Sequence, residues 1–208
     1  MGALSRPVTA RFCDETGWGF GWIQDERLAR CSHALRAEGR VWIFDPVDSP
    51  GVEERIRGLG EPAGVIQLLD RHGRDSAAVA ARLGVPRHQT PFDGVPGAPF
   101  DPIPIVRHRF WREVALWWPE EQVLLCGDAL GTIAYFVAAD ERLGVHPLLR
   151  LVPPRALSRF APRHVLCGHG KGVHGDEAAP ALEEALATAR RRLPAVWRYG
   201  WPQAKGDR

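Results

Sequence analysis

Apolar and polar positions along the chain change period several times, and the changes mark out elements. Gly17-Trp18-Gly19-Phe20-Gly21-Trp22 alternates glycine with aromatics, as a strand would. Leu28 to Leu35 and Val41 to Phe44 read as hairpin partners, with turn chemistry at Ala37-Glu38-Gly39 between them. The stretch Asp45 to Pro50 stops the second partner. Val52 to Leu59 has amphipathic helical spacing and ends near Gly60. The apolar run Ala63 to Leu69 reads as a buried strand, and the Ala-rich segment Asp75 to Leu83 as a helix closed by Gly84. Residues 90 to 104 carry Pro91, Pro96, Gly97, Pro99, Pro102 and Pro104, which predicts a long irregular loop. Val114 to Trp118 and Gln122 to Cys126 form a second hairpin around Pro119-Glu120-Glu121. Leu148 to Phe160 is helical in pieces, broken by Pro153-Pro154. A last strand, His164 to Cys167, precedes a terminal helix over Asp176 to Leu193, with Leu182, Leu186 and Ala189 on one face and Pro180 near its start. Hairpins followed by a helix in each half fit two mixed sheets packed together with helices outside.

Composition narrows the class. At 208 residues the expected organisation is a single domain over 1–208. Hydrophobic residues make up 45% and charged residues 25%, ordinary for a globular protein, and the net charge of +2 gives no reason to expect a nucleic-acid partner. The run Arg190-Arg191-Arg192 is read as the solvated end of the last helix, where cations suit the helix dipole. No stretch reads as a signal peptide or a membrane span, so a cytoplasmic protein is expected. Cys13, Cys31, Cys126 and Cys167 include no Cys-x-x-Cys pair; they are read as buried free thiols rather than a zinc knuckle.

The chemistry lies in three strand-end loops: Asp70-Arg71-His72-Gly73-Arg74-Asp75, Cys126-Gly127-Asp128-Ala129-Leu130 and Cys167-Gly168-His169-Gly170. Their order and spacing resemble the metallo-β-lactamase superfamily from about Val41 to the terminal helix. The resemblance implies an α/β (α+β) fold, a four-layer αββα sandwich of two mixed β-sheets flanked by helices. In that superfamily the first loop is His-x-His-x-Asp-His, the Gly-Asp-Ala loop gives a metal-bridging Asp, and the late Gly-His-Gly gives a His ligand. Here Asp128 and His169 match the last two. The first loop reads Asp70-x-His72-x-Arg74-Asp75, with a cation where the superfamily has an Asp. The Gly-His-x-Pro-Gly segment that normally precedes the second hairpin is replaced by Val106-Arg107-His108-Arg109-Phe110, with His108 one residue out of register.

These departures leave two function classes. The favoured reading is a degenerate, metal-free cleft in which the Arg74 guanidinium takes the metal's place and pairs with Asp75, Asp128 or both. The protein would then be a small-molecule binding or interaction module, or a weak hydrolase, through a cleft of Asp70, His72, Arg74, Asp75, Asp128, His169 and Trp111. The alternative is an active hydrolase of ester, thioester or lactam-like substrates. One divalent ion (zinc, iron or manganese) would be held by Asp70, His72, Asp75, Asp128 and His169, with Asp128 and Asp75 as the catalytic carboxylates. A third reading is a homodimer built on the hairpin of Trp111, Trp117 and Trp118, one of the adjacent tryptophans facing a groove or a partner. His33, His88, His146, His164 and His174 show no ligand spacing, and Trp197, Tyr199 and Trp201 are read as a docking tail.

Overall fold

The computed structural model of the chain describes residues 10–138 and 140–199, the last three by their backbone only. Trp197, Tyr199 and Trp201 therefore lie outside the described side chains.

Strands β1 (Ala10–Cys13), β2 (Gly19–Gln24), β3 (Cys31–Ala37) and β4 (Arg40–Phe44) run antiparallel in sequence order. Helix α1 (Val52–Leu59) then crosses to β5 (Glu61–Gln67), parallel to β4, and α2 (Ser76–Leu83) crosses to β6 (Arg87–Gln89), parallel to β5. Strands β7 (Asp101–His108), β8 (Trp111–Trp118) and β9 (Val123–Cys126) form an antiparallel meander. A small ladder of β10 (Leu130–Gly131) and β11 (Gly144–Val145) follows. Strand β12 (His164–Cys167) joins the meander parallel to β9, and β13 (Val173–His174) closes that sheet in the order β13-β12-β9-β8-β7. Helix α3 (Ala178–Tyr199) ends the described chain.

Side-chain alternation builds three apolar layers. On β4, Val41 and Ile43 face outward under Ile56 of α1 and Val79 and Leu83 of α2, while Trp42 and Phe44 face inward. The inward set meets Leu116 and Trp118 of β8 and Leu125 of β9 between the sheets. On β8 the opposite parity, Ala115, packs with Leu124 and Val165 under Leu182, Ala185 and Ala189 of α3. Two mixed sheets with helices on both outer faces thus form the αββα sandwich that the pattern and the resemblance implied. Each large apolar side chain so buried stabilises the fold by about 1.5–3 kcal/mol. Trp118 enters the inter-sheet core; Trp117, half-buried, faces the α3 side with Phe160 at 4.9 Å between ring centroids.

Several boundaries differ from the sequence reading. The loop expected to 104 ends at 100, because Pro102 and Pro104 lie within β7. This is an edge strand, where proline costs no ladder bond that a neighbour needs, and the register shifts between Pro104 and Val106. The first hairpin partner begins at Cys31 rather than Leu28, and its turn is made by Glu38 (φ 49°) and Gly39 (φ 75°), the positive-φ pair a tight hairpin requires. Helix α3 continues through Pro194 instead of stopping at Leu193. Among the described residues, no helix is long and apolar enough to cross a membrane.

Candidate metal centre

Strands β9 and β12 are parallel neighbours in register, Cys126 opposite Cys167. Their carboxyl ends therefore deliver the next loops, Gly127-Asp128 and Gly168-His169, to one place. The two loops touch through the Gly168 N–H donating to Gly127 O at 3.0 Å. Neither could be so close with a side chain: a methyl on Gly168 would meet Gly127 O and the His72 ring at 2.7 Å. His72 arrives from the loop after β5, its N–H bonded to Leu69 O in a tight turn.

The three side chains converge. His72 Nε2 is 3.0 Å and His169 Nε2 3.2 Å from the same oxygen, Asp128 Oδ1. Both imidazoles are anchored from behind. His72 Nδ1 donates to Asp45 Oδ2 at 2.8 Å, and His169 Nδ1 donates to the Leu28 carbonyl at 2.7 Å. A carbonyl can only accept, which fixes the proton on Nδ1 and leaves Nε2 of the neutral ring as a lone pair aimed inward. Asp45 is itself fixed: it sits at φ 43° just after β4, and its Oδ1 accepts the Leu68 N–H at 2.8 Å. Asp128 Oδ1 is buried and has no aligned hydrogen-bond donor. Three acceptor atoms face one another, an arrangement that requires a cation or extra protons between them. Although burial alone would raise it, the two imidazoles, when they carry those extra protons, hold the Asp128 carboxyl well below the usual carboxylate range.

The other expected ligands are turned elsewhere. Asp70 Oδ2 accepts the Arg112 N–H at 3.1 Å, and Asp75 Oδ2 accepts the Asp48 N–H at 2.8 Å. His108 lies exposed at the β7–β8 turn against Phe110. The set expected from sequence thus shrinks from five residues to His72, Asp128 and His169.

Arg74 does point inward, but the pairing expected for it is corrected. Its Nη1 donates to the Cys31 carbonyl (2.6 Å) and the Asp45 carbonyl (2.9 Å), and its Nη2 to the Gly168 carbonyl (2.9 Å). Neither Asp75 nor Asp128 receives a hydrogen bond from it. A guanidinium's planar fork can bridge separate carbonyls in this way, and Arg74 ties the ends of β3 and β4 to the His169 loop.

A cavity of about 360 Å³ opens from the centre, walled by Leu28, Arg71, Tyr135, Phe136, His146 and Leu148. Arg71, half-exposed, stacks 4.4 Å over the Trp111 ring and lies 3.6 Å from Asp128 Oδ2. Trp111 Nε1 donates to Glu113 Oε2 at 2.9 Å, and Glu113 Oε1 accepts the Ala129 N–H at 2.6 Å. Glu113 is fully buried; burial and the Asp128 charge push its carboxyl up to about 7. His146 lies edge-on to Trp111 at 4.9 Å and accepts the Leu148 N–H at 3.2 Å; burial pulls its pKa down to about 4. Asp45, Arg71, Glu113 and His146 were not picked out as site residues from sequence. Only Arg71 stood inside a motif; the others are brought in by strand register and by the segment between β10 and β11.

No family model matches the sequence, and no curated protein matches it. Solved structures do. The protein has the metallo-β-lactamase superfamily fold. A crystal structure of the DIM-1 metallo-β-lactamase exposed to ceftazidime superposes with a TM-score of 0.59 over 89% of this chain and all of that one, at 14% identity. The TMB-1 structure gives 0.51 at 11% identity, covering 87% of this chain and 98% of its own. A fragment (1-254) of a diflavin flavoprotein from Nostoc sp. PCC 7120 gives 0.62 at 12% identity, covering 93% of this chain and all of the fragment.

Proposed function

We propose that this is a metal-dependent, hydrolase-like protein with a one-ion centre held by His72, Asp128 and His169. The observation that carries the reading is the convergence of the two imidazole Nε2 atoms on Asp128 Oδ1, each ring anchored through its other nitrogen. Backing of ligand histidines by a carboxylate or a carbonyl is what metal sites use to fix ring tautomer and orientation. Two imidazoles and one carboxylate suit zinc or iron(II) and leave positions open for water and substrate. When bound, such an ion supplies a water of lowered pKa and polarises a carbonyl.

The chain's own residues set what enters. Leu28, Phe136 and Leu148 offer an apolar wall, and the cavity admits a compact ester, thioester or lactam-like molecule. Arg71, carried on the Trp111 face, stands at the mouth to receive a carboxylate. Glu113 holds Trp111 and the Asp128 loop in place through its two carboxylate oxygens.

One observation favours the metal-free binding cleft instead. Arg71 lies 3.6 Å from Asp128, and the buried Arg74 charge acts at longer range on Asp45 and Asp128, so two cations already offset two carboxylates without an ion. Elemental analysis of protein purified without chelator separates the two. The metal reading predicts one equivalent that is lost in both Asp128→Ala and His169→Ala, with hydrolysis of chromogenic esters and thioesters lost alongside. The same metal content in wild type and variants sinks it. Metal without turnover of any ester, thioester or lactam removes the hydrolase assignment alone.

A further inference from the structure

Gly21 on β2 lies between Cys13 of β1 and His33 of β3, its register partners on either side. A methyl group at Gly21 would meet Cys13 Sγ and His33 Cδ2 at 3.0 Å and Asp14 Oδ2 at 3.2 Å. The missing side chain leaves a floor onto which polar groups from both neighbouring strands close. Cys31 enters from the same face of β3 as His33, two residues earlier. Asp14 follows β1 at φ 50°, a left-handed conformation that turns its carboxylate onto the group. Cys13, Cys31 and His33 are 6%, 1% and 4% exposed, and the Asp14 side chain 2%.

The separations have a pattern. Cys13 Sγ and Cys31 Sγ are 3.8 Å apart. Cys31 Sγ is 3.5 Å from His33 Nε2. Asp14 Oδ2 is 3.5 Å from Cys13 Sγ, 3.9 Å from Cys31 Sγ and 3.2 Å from His33 Nε2. A tetrahedral zinc, with bonds of about 2.3 Å to sulfur and about 2.0–2.1 Å to nitrogen or oxygen, sets edges of about 3.8 Å between sulfurs, about 3.5 Å from sulfur to nitrogen or oxygen, and about 3.3 Å from nitrogen to oxygen. The five separations match edges of that tetrahedron: Cys13, Asp14 and Cys31 bring their ligand atoms within 4.8 Å of one another, and His33 stands beside Cys31 and Asp14 as the fourth donor. We propose that Cys13, Asp14, Cys31 and His33 form a second, closed zinc site, independent of the centre at His72, Asp128 and His169.

The surroundings support a built site. Asp14 Oδ1 accepts the Gly172 N–H and His174 Nε2–H, both at 3.0 Å, which leaves Oδ2 alone turned to the sulfurs. Two thiolates select zinc over magnesium, calcium or manganese. Binding displaces the two thiol protons to solvent and forms two Zn–S bonds. The sequence hid the site because its ligands come in two pairs, Cys13-Asp14 at the end of β1 and Cys31-x-His33 on β3, with none of the spacing of a zinc knuckle. The ion would also stiffen the other centre: the Cys31 N–H donates to Gly168 O at 2.8 Å, and Arg74 holds the Cys31 carbonyl, so β3 braces the loop that carries His169.

Cobalt(II) titration of the full-length, reduced protein tests this. One equivalent bound here gives a sulfur-to-cobalt charge-transfer band in the near ultraviolet and intense tetrahedral bands in the visible. Zinc bleaches them. The centre at Asp128 holds no sulfur, so the band persists in Asp128→Ala and is lost or at least halved in Cys31→Ser and Cys13→Ser. Should the serine variants fail to fold, the wild-type spectrum decides. Absence of any thiolate band at saturating cobalt overturns the proposal. So does mass spectrometry showing metal-free protein with Cys13 and Cys31 joined as a disulfide after purification without reductant, which would make them a redox pair.

Discussion

A single residue, Arg74, shows how far a motif can be read. From sequence it is a cation in a ligand loop; whether it excludes a metal depends on where its charge is spent. Three of its N–H groups donate to the carbonyls of Cys31, Asp45 and Gly168, so it acts as a backbone clamp. Hydrogen bonds from a charged donor contribute about 1.5–3 kcal/mol each and are not additive, and the carbonyls it leaves would stay buried. Arg74→Met is therefore expected to lose about 3 kcal/mol or more in urea denaturation, and Arg74→Lys most of that, because one ammonium cannot span the three acceptors. A loss under 1 kcal/mol would mean that the clamp carries little. His146 gives a pH prediction. Its folded pKa of about 4 lies below the ordinary 6.5 because burial disfavours the charged ring, an effect that outweighs the attraction of Asp128. Between those values the unfolded chain takes up a proton that the folded one refuses, so stability is full above pH 6.5 and falls as pH drops toward 4, by about 3 kcal/mol. His146→Asn keeps an acceptor for the Leu148 N–H and should flatten that part of the pH–stability curve between pH 4 and 7. Parallel curves for variant and wild type would contradict it.

At the scale of elements, the legible parts were those whose own side chains decide them. The strand Val41 to Phe44, the α1 and α2 helices and the meander's central hairpin follow from alternation and from apolar spacing, and each was read within a few residues. Strands β1, β6 and β13 are short, and what makes them strands is a neighbour's ladder, which no local pattern records. Strand β7 hid behind Pro102 and Pro104, residues that only an edge position tolerates. The site divides in the same way. His72, Asp128 and His169 were legible because their strand-end loops resemble the ligand loops of the metallo-β-lactamase superfamily, while Asp45, Glu113 and the thiol cluster depend on register between strands distant in sequence. Glycine marks the places where elements approach. Gly168→Ala puts a methyl 2.7 Å from both Gly127 O and the His72 ring. The variant should fold with a loss of about 1–3 kcal/mol, the usual cost of overpacking, and bind metal at the His72 centre at least tenfold more weakly. Isothermal titration of zinc into metal-free protein, with and without Gly168→Ala in a Cys31→Ser background, isolates that centre, and unchanged affinity would show that the close approach does not position His72.

Across the whole molecule, three apolar layers explain why the sandwich survives large changes in its site loops: each sheet is covered on both faces by residues that no ligand touches. The cavity wall is the exception, because it hangs on polar contacts. Residues 132 to 138 leave the ladder after β10 and residues 140 to 150 return through β11, carrying Tyr135, Phe136 and His146 to the centre. Behind them Arg150, fully buried, donates to the carbonyls of Phe136 (2.6 Å) and Val145 (3.1 Å) and pairs with Glu141 at 2.6 Å. Its Nη1 also reaches the Ala189 carbonyl on α3 at 3.4 Å, and Thr188 donates to Glu141. These contacts pin the wall to the terminal helix. Arg192 of the helix also pairs with Asp140 at 2.7 Å at the surface, but the buried pair is the one whose halves cannot stand alone in their environment. Removing one partner of such a pair costs about 3–5 kcal/mol, because the other charge stays buried. Glu141→Gln should lower stability by that order in chemical denaturation, and hydrogen exchange should show faster opening of residues 132 to 150 than of β9 and β12. Replacing both partners together, Glu141→Leu with Arg150→Met, should recover much of the loss. If the double variant is as unstable as the sum of its singles, the pair is not the pin and the wall is held by other contacts, such as Phe136 packing and the Arg192–Asp140 pair.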